Sequence, residues 1–363
     1  MRKHYLDNIR WIIQVLVVLY HVCFMYSGIT MTSTAGQITQ EPFVAGMIFE
    51  YAVFPWFMTV LFIVAGISSR LYLNSHSHGE FIKSRTVKLL VPSTIGLLAF
   101  GYVQGYLNMA LSDGAFESVA QAPLPVRYLI MCVSGTSVLW FLQILWVFSL
   151  VLVPVRKLDK DRLWKACAKT PAAVLFLLAI PMFGAGLILN TPVITVYRFG
   201  LYGFAYFLGY FVFSHDEIIE KIKKMLPLFA VSALASGTAF TYLYFGRNYA
   251  IAPVNRTVLY SLFAYWMSVT VLAFGAKYLD FRNDFTSWMG RKAWGIYIFH
   301  YIGISAVGYF IAVPGLLPAW VIYPLTLIAG FAAGIVLYEI ISRIPFFRWA
   351  VLGISKRKVK QDV

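Results

Sequence analysis

Of the chain's 363 residues, 60% are hydrophobic and 12% charged, about half the charged fraction of an ordinary soluble domain. With a mean hydropathy of +0.74, this excludes a soluble globular fold and predicts an all-α polytopic membrane protein. A net charge of +15 would suit a polyanionic partner, but the placement of the basic residues gives it another meaning.

About ten apolar stretches are long enough to cross ~30 Å of hydrocarbon. They run roughly over residues 9–27, 43–68, 89–111, 138–155, 171–189, 196–213, 226–245, 256–276, 293–312 and 318–341. Met1-Arg2-Lys3 before an apolar run has the outline of a signal peptide. No small-residue cleavage site follows and the run is long, so it reads as a retained first span. With the N-terminus in the cytosol, 26 of the 30 Lys and Arg residues fall on the cytosolic side, leaving Arg127, Arg198, Arg247 and Arg256 outside. That bias is the positive-inside signature and predicts cytosolic N- and C-termini. The basic balance is therefore topological and implies no nucleic acid. Residues 1–345 read as one membrane-embedded domain and 346–363 as a basic cytosolic tail.

Cys23, Cys132 and Cys167 are odd in number and lie on different elements, so neither a disulfide framework nor a metal-binding spacing is present in the sequence, and no metal is implied. The longest connections are Gly28 to Pro42, Ser69 to Lys88, Ser112 to Ser137 and Arg156 to Thr170. An active site therefore has to be built in or at the membrane.

The first span carries the strongest chemical signal. Arg10 and His21 stand eleven positions apart, which at ~100° per residue returns the helix to within about 20° of its starting direction, roughly 16 Å further along. Gln14 and Val17 share that stripe. Ionisable groups at such depth are costly and usually face a bundle interior or a wet cavity. A neutral His21 imidazole there would serve as a general base toward a hydroxyl.

Glu50, about seven residues into the second span, has two open readings: a carboxylate that orients the His21 imidazole, or one capped by groups of the outer loops. His300 lies eight residues beyond Lys292, hence ~12 Å into its span. It either shares a cavity with His21 or is hydrogen-bonded glue between helices. Glu339 and Arg343 are spaced for an i,i+4 pair. Arg70, Arg85 and Lys88 each suit snorkelling to the interface. Together with Arg10 they would form a guanidinium-rich pocket for a phosphorylated cofactor. His76 and His78 read as solvated loop, and Trp140 fits the aromatic belts. The sequence has no G-x-S-x-G, P-loop, strand-borne G-x-G-x-x-G or H-E-x-x-H, and no paired outer carboxylates for glycoside chemistry.

The opening YLDNIRWIIQVLVVLYHV, with its Arg10 and His21, resembles the first helix of the acyltransferase 3 family of integral membrane acyltransferases. In order along the chain follow PWFMTVLFIVAGISSR (Pro55 to Arg70), RTVKLLVP (Arg85 to Pro92), LWFL (Leu139 to Leu142) and IYIFH (Ile296 to His300). The resemblance spans nearly the whole chain. It implies a cytosolic acyl-CoA donor and an acceptor hydroxyl, usually on a sugar or glycan and often presented on the far side. Arg10 and His21 would be the family's essential pair, with Arg70 and the Arg85 region near the nucleotide of CoA. The chain departs from many members at Ala65-Gly66-Ile67, where they have Ser-Gly-Phe. It departs again at Ser137-Val138, where glucan-modifying relatives often have a His. The hydrolase-like domain of larger members is not in this sequence, so transfer would be direct or would involve a separate partner.

The expected activity is thus O-acylation of a sugar, glycan or other cell-surface hydroxyl at a bacterial-type plasma membrane. The acyl group would be acetyl or another short acyl, with acyl-CoA as donor substrate and the bilayer as environment. His21 would be the base, Glu50 and His300 its candidate partners, and Arg10, Arg70, Arg85 and Lys88 the donor-binding groups. Direct transfer and an acyl-enzyme route both stay open. The rival reading is a proton-coupled secondary transporter or flippase, since two halves of five spans permit inverted repeats.

Overall fold

The computed structural model describes residues 3–27, 43–112, 117, 119, 121–191 and 194–354. The described residues are 82% helical, and among them β-pairing is confined to one isolated bridge between Asn190 and Arg198. In chain order the elements are α1 (His4–Met25), α2 (Val44–Leu73), α3 (His78–Ala110), α4 (Leu124–Ser134), α5 (Ser137–Asp159), α6 (Arg162–Cys167) and α7 (Ala172–Leu187). They continue with α8 (Phe199–Phe211), α9 (Asp216–Lys224), α10 (Leu226–Tyr244), α11 (Val258–Tyr278), α12 (Asp284–Ala312), α13 (Ala319–Arg343) and α14 (Pro345–Leu352).

Eight of these helices, α1, α2, α3, α5, α10, α11, α12 and α13, are long and apolar enough to cross a membrane, as expected of an all-α polytopic membrane protein. The other two expected spans differ. Residues 171–189 form α7, interrupted at Leu178, and residues 196–213 form α8, whose 13 residues reach only about 20 Å. Ten of the α8 residues are buried, from Gly200 to Phe211. Its apolar character comes from being enclosed on all sides by protein, where a helix hydrophobic all round belongs.

The chain divides into two compact units. Unit 1 comprises Met1–Leu16, Ile48–Ile82 and Val147–Gly290; unit 2 comprises Val17–Met47, Lys83–Trp146 and Arg291–Val363. Within unit 1, α2 and α8 touch backbone to backbone. A Cβ on Gly66 would stand 2.0 Å from the Tyr206 carbonyl oxygen, and one on Gly209 would stand 2.0 Å from that of Ile63. Small residues at such crossings are what membrane helices use in place of a hydrophobic driving force. The start of α1 is tied to the end of α11 by Asn8, whose Nδ2 donates to the Leu279 and Phe281 carbonyls at 2.7 and 2.9 Å.

Within unit 2, α3 lies against α4, where a Cβ on Gly105 would come 1.6 Å from the Met131 carbonyl. Pro92 interrupts α3 with π-helical turns at Thr86–Leu90 and Pro92–Gly96, the usual accommodation of a residue without an amide hydrogen. The stretch expected to begin the tail holds α14, whose Ala350, Val351 and Leu352 are buried. Trp294 Nε1 of α12 donates to the Leu352 carbonyl at 3.0 Å. Residues 355–363 lie outside the described residues.

Candidate active site

α1 runs unbroken from His4 to Met25, so the stripe expected from the eleven-residue spacing is a feature of the folded helix. In unit 2 the imidazoles of His21 and His300 meet, with His21 Nδ1 2.9 Å from His300 Nε2 and ring centroids 5.1 Å apart. His300 Nδ1 lies 2.8 Å from the Ile296 carbonyl and 2.9 Å from that of Tyr297. Only a protonated Nδ1 can satisfy those acceptors, which assigns the His300 proton there and makes its Nε2 an acceptor. His21 Nδ1–H must then be the donor to His300. The hydrogen bond between His21 and the Val17 carbonyl one turn earlier agrees, because Nδ1 is the ring nitrogen nearer the helix backbone. The lone pair of His21 is therefore on Nε2.

Burial separates the roles of the two rings. His21 is partly accessible, whereas His300 is 0% exposed. His21 is the less buried residue of the two, and His300 is a group whose hydrogen bond fixes the tautomer of its partner ring. Aromatic walls complete the setting, with Tyr301 edge-on to His21 at 5.0 Å and Phe24 at 6.3 Å. Tyr301 is a site residue that sequence reasoning passed over. Its signal was only its place beside His300, since a buried Tyr next to an ionisable residue looks like any other aromatic of the span.

The remaining candidates fall as follows. Glu50, in unit 1, is 1% exposed, and its Oε2 accepts the Tyr249 hydroxyl at 2.7 Å. Tyr249 sits on the connection between α10 and α11, the arrangement of a carboxylate capped by loop groups. Arg10 is half-buried and pairs with Asp7 at 2.6 Å, and its Nη2 donates to Ser68 Oγ. Further along the same stripe Gln14 Oε1 is buried with no hydrogen-bond partner. Arg70 is 6% exposed. Its guanidinium is bonded to Asp161, donates to the Tyr210 hydroxyl oxygen at 3.3 Å and lies 3.8 Å over the Trp164 ring. That Arg70 hydrogen bond is the main reason the Asp161 carboxyl is held below its ordinary range. Arg85 and Lys88 stand in unit 2 in the first half of α3, Arg85 partly buried and Lys88 exposed. The structure thus gathers Arg10 and Arg70 in one unit and Arg85 and Lys88 in the other.

Glu339, expected to pair with Arg343, instead accepts Lys292 of α12. Lys292 reaches it because α12 and α13 lie side by side, whereas the Arg343 side chain ends the helix. The long connection from Gly28 to Pro42 lies outside the described residues.

Comparison with known proteins places this geometry in context. The acyltransferase 3 family, described as an acyltransferase domain, matches residues 3–339. Similar proteins include the glucans biosynthesis protein C of Escherichia coli O81 strain ED1a and that of Escherichia coli O6:K15:H31 strain 536. Each is 22% identical over 387 aligned positions, covering 99% of this chain and 97% of the relative. No solved structure matches significantly. With a helical membrane fold, an Arg10–His21 helix and a family match over nearly its full length, the chain belongs to the acyltransferase 3 family of membrane acyltransferases.

Proposed function

We propose that the protein moves a short acyl group from acyl-CoA to a hydroxyl of a glucan or related glycan. The observation that carries this reading is the His21–His300 pair, an imidazole with Nδ1–H fixed and its lone pair on Nε2. His21 Nε2 takes the hydroxyl proton as the acceptor oxygen attacks the thioester carbonyl. The tetrahedral intermediate collapses with expulsion of the CoA thiolate, which the imidazolium reprotonates. His300 Nε2 keeps accepting from Nδ1–H throughout and holds the ring in register.

The donor is read from the ~16 Å between Arg10 and His21, comparable with an extended pantetheine arm. It leaves the CoA phosphates near Arg10. Arg70, already neutralised by Asp161, supports the shape of that end more than it meets phosphate directly. The glycan acceptor is supported by the relatives' name, glucans biosynthesis protein C.

Two measurements test the reading. Purified protein should release thiol from a short acyl-CoA in the presence of a glucose oligosaccharide, and His21→Ala should abolish release while leaving folding intact. In oriented vesicles acyl-CoA should act only from the side bearing the C-terminus, and an impermeant acceptor only from the other. Turnover by His21→Ala near the native rate would refute the mechanism, and both substrates acting from the C-terminal side would refute the transmembrane route.

A further inference from the structure

The last turn of α5, the whole of α6 and the residues that join and follow them lie in unit 1. From Lys157 to Lys169 this stretch holds five basic residues and two acidic ones. Lys157, Lys160, Arg162, Lys165 and Lys169 are all exposed. Of the two carboxylates, Asp161 is bonded to Arg70 from outside the stretch, and Asp159 Oδ1 accepts the Leu163 amide at 2.7 Å. The excess positive charge of this surface is therefore not cancelled locally.

The surface is a built feature of the fold. Lys160 and Asp161 have φ of 49° and 60°, the left-handed region that residues bearing a Cβ enter at a cost. The Arg70–Asp161 ion pair holds that turn, and Arg156 Nη1 ties the end of α5 to the Leu73 carbonyl at 2.9 Å. On α6, Trp164 turns inward. Its ring lies 3.8 Å from the Arg70 guanidinium, and its Nε1 donates to Ser214 Oγ at 2.8 Å. Arg162 and Lys165, three positions apart, then share a side of the helix turned away from Trp164.

Among these cations stand two exposed leucines, Leu158 at 83% and Leu163 at 52% exposure. A phosphate ligand dissolved in water gains nothing from such neighbours, whereas a phospholipid presents a phosphate directly above hydrocarbon. Depth agrees. α5 is long and apolar enough to cross a membrane, and the cations begin in its last turn, where headgroups meet acyl chains.

We propose that this surface docks an anionic phospholipid, with the phosphate held by Lys157, Lys160, Arg162 and Lys165 and the upper acyl chain against Leu158 and Leu163. A cluster of basic side chains at the end of a membrane helix is attracted to an anionic leaflet by an amount that grows with each Lys or Arg and is screened by salt. The leucines keep their stems and the lipid tail in one apolar layer, as snorkelling cations do. The binding would anchor the Arg70-bearing end of unit 1 to the membrane surface, and it is independent of the acyl-transfer reading.

The experiment uses the full-length protein in phosphatidylcholine nanodiscs, with phosphatidylglycerol or phosphatidylcholine probes that carry a photoactivatable group high on one acyl chain. Crosslinks are mapped by peptide mass spectrometry. The peptide containing Leu158 and Leu163 should be labelled at least tenfold more by the phosphatidylglycerol probe, and the preference should fall as salt is raised. Unlabelled phosphatidylglycerol should compete, while glycerol 3-phosphate and a short acyl-CoA should not. The combined Lys157→Gln, Lys160→Gln, Arg162→Gln and Lys165→Gln variant should lose the preference. Lys157→Arg, Lys160→Arg and Lys165→Arg together should keep it, which separates charge from a folding defect. Removing the same charge elsewhere, by Lys83→Gln, Lys224→Gln, Lys277→Gln and Arg291→Gln, should also leave it in place. Equal labelling by the two probes in the native protein, which needs no variant to fold, overturns the proposal. It is equally overturned if the four-site variant keeps its preference, or if the charge-preserving or the remote variant loses it. Competition by glycerol 3-phosphate or acyl-CoA would give these cations to a soluble phosphate ligand and refute the lipid assignment.

Discussion

His21 Nδ1 stands 2.9 Å from His300 Nε2, and because His300 spends its own Nδ1 proton on two backbone carbonyls, the pair has a single consistent tautomer. In the proposed mechanism the arrangement does for His21 what a carboxylate does in a hydrolase triad, but with a neutral partner. A neutral orienter suits a site inside the membrane, where a second buried charge would be expensive.

A first consequence concerns His300 itself. His300→Phe should lower kcat about 100-fold or more with substrate KM values changed less than threefold, since the ring touches His21 and no substrate. His300→Gln, whose side-chain oxygen can accept from Nδ1–H, should recover a substantial part of the rate. Equal loss in both variants, or a loss confined to KM, would assign His300 to packing alone.

Arg10 is bound to Asp7 and Ser68, and two roles for it separate cleanly. If its guanidinium meets the phosphates of the donor, Arg10→Ala should raise the acyl-CoA KM roughly 10- to 100-fold with little change in kcat. Asp7→Ala, which frees the guanidinium, should leave that KM equal or lower. Parallel defects in both variants would mean that the ion pair, not phosphate binding, is the purpose of Arg10.

The Arg70–Asp161 pair should make stability depend on acid. The Asp161 carboxyl is held below its ordinary range chiefly by the Arg70 hydrogen bond. Its stabilising contribution is then fully present above the unfolded value of about 3.9 and is lost as pH falls through the lower folded value. In thermal unfolding, Asp161→Asn should be less stable than the native protein at neutral pH by about 1–3 kcal/mol. The gap should narrow below about pH 4. A gap independent of pH would show that the pair contributes through packing only.

Gly66→Ala should be among the most damaging small substitutions, because its Cβ would meet the Tyr206 carbonyl at 2.0 Å and neither backbone can yield without separating α2 from α8. A loss on the order of 3 kcal/mol should appear as a lowered melting temperature in detergent. Gly290→Ala, with nothing within 4 Å of the added carbon, should be neutral or slightly stabilising. Equal effects at the two positions would contradict the close crossing.

Local periodicity carried a large part of this protein. The apolar runs and their 3.6-residue repeat are enough to make the helices. The spacing of Arg10 and His21 puts them on one stripe because that relation lies within a single helix. Hydropathy alone did not show that residues 196–213 hold a short helix buried in protein, since a segment enclosed by protein and one facing lipid are equally apolar. Partnership between helices is a different kind of information. His21 finds His300 across 279 positions, Glu50 finds Tyr249 across 199 and Arg70 finds Asp161 across 91. None of these separations has a period to read. The rotation and shift of one helix against the next decided them, through backbone approaches such as Gly66 to Tyr206. That packing gave His21 to His300, Glu50 to a loop tyrosine and Arg70 to Asp161.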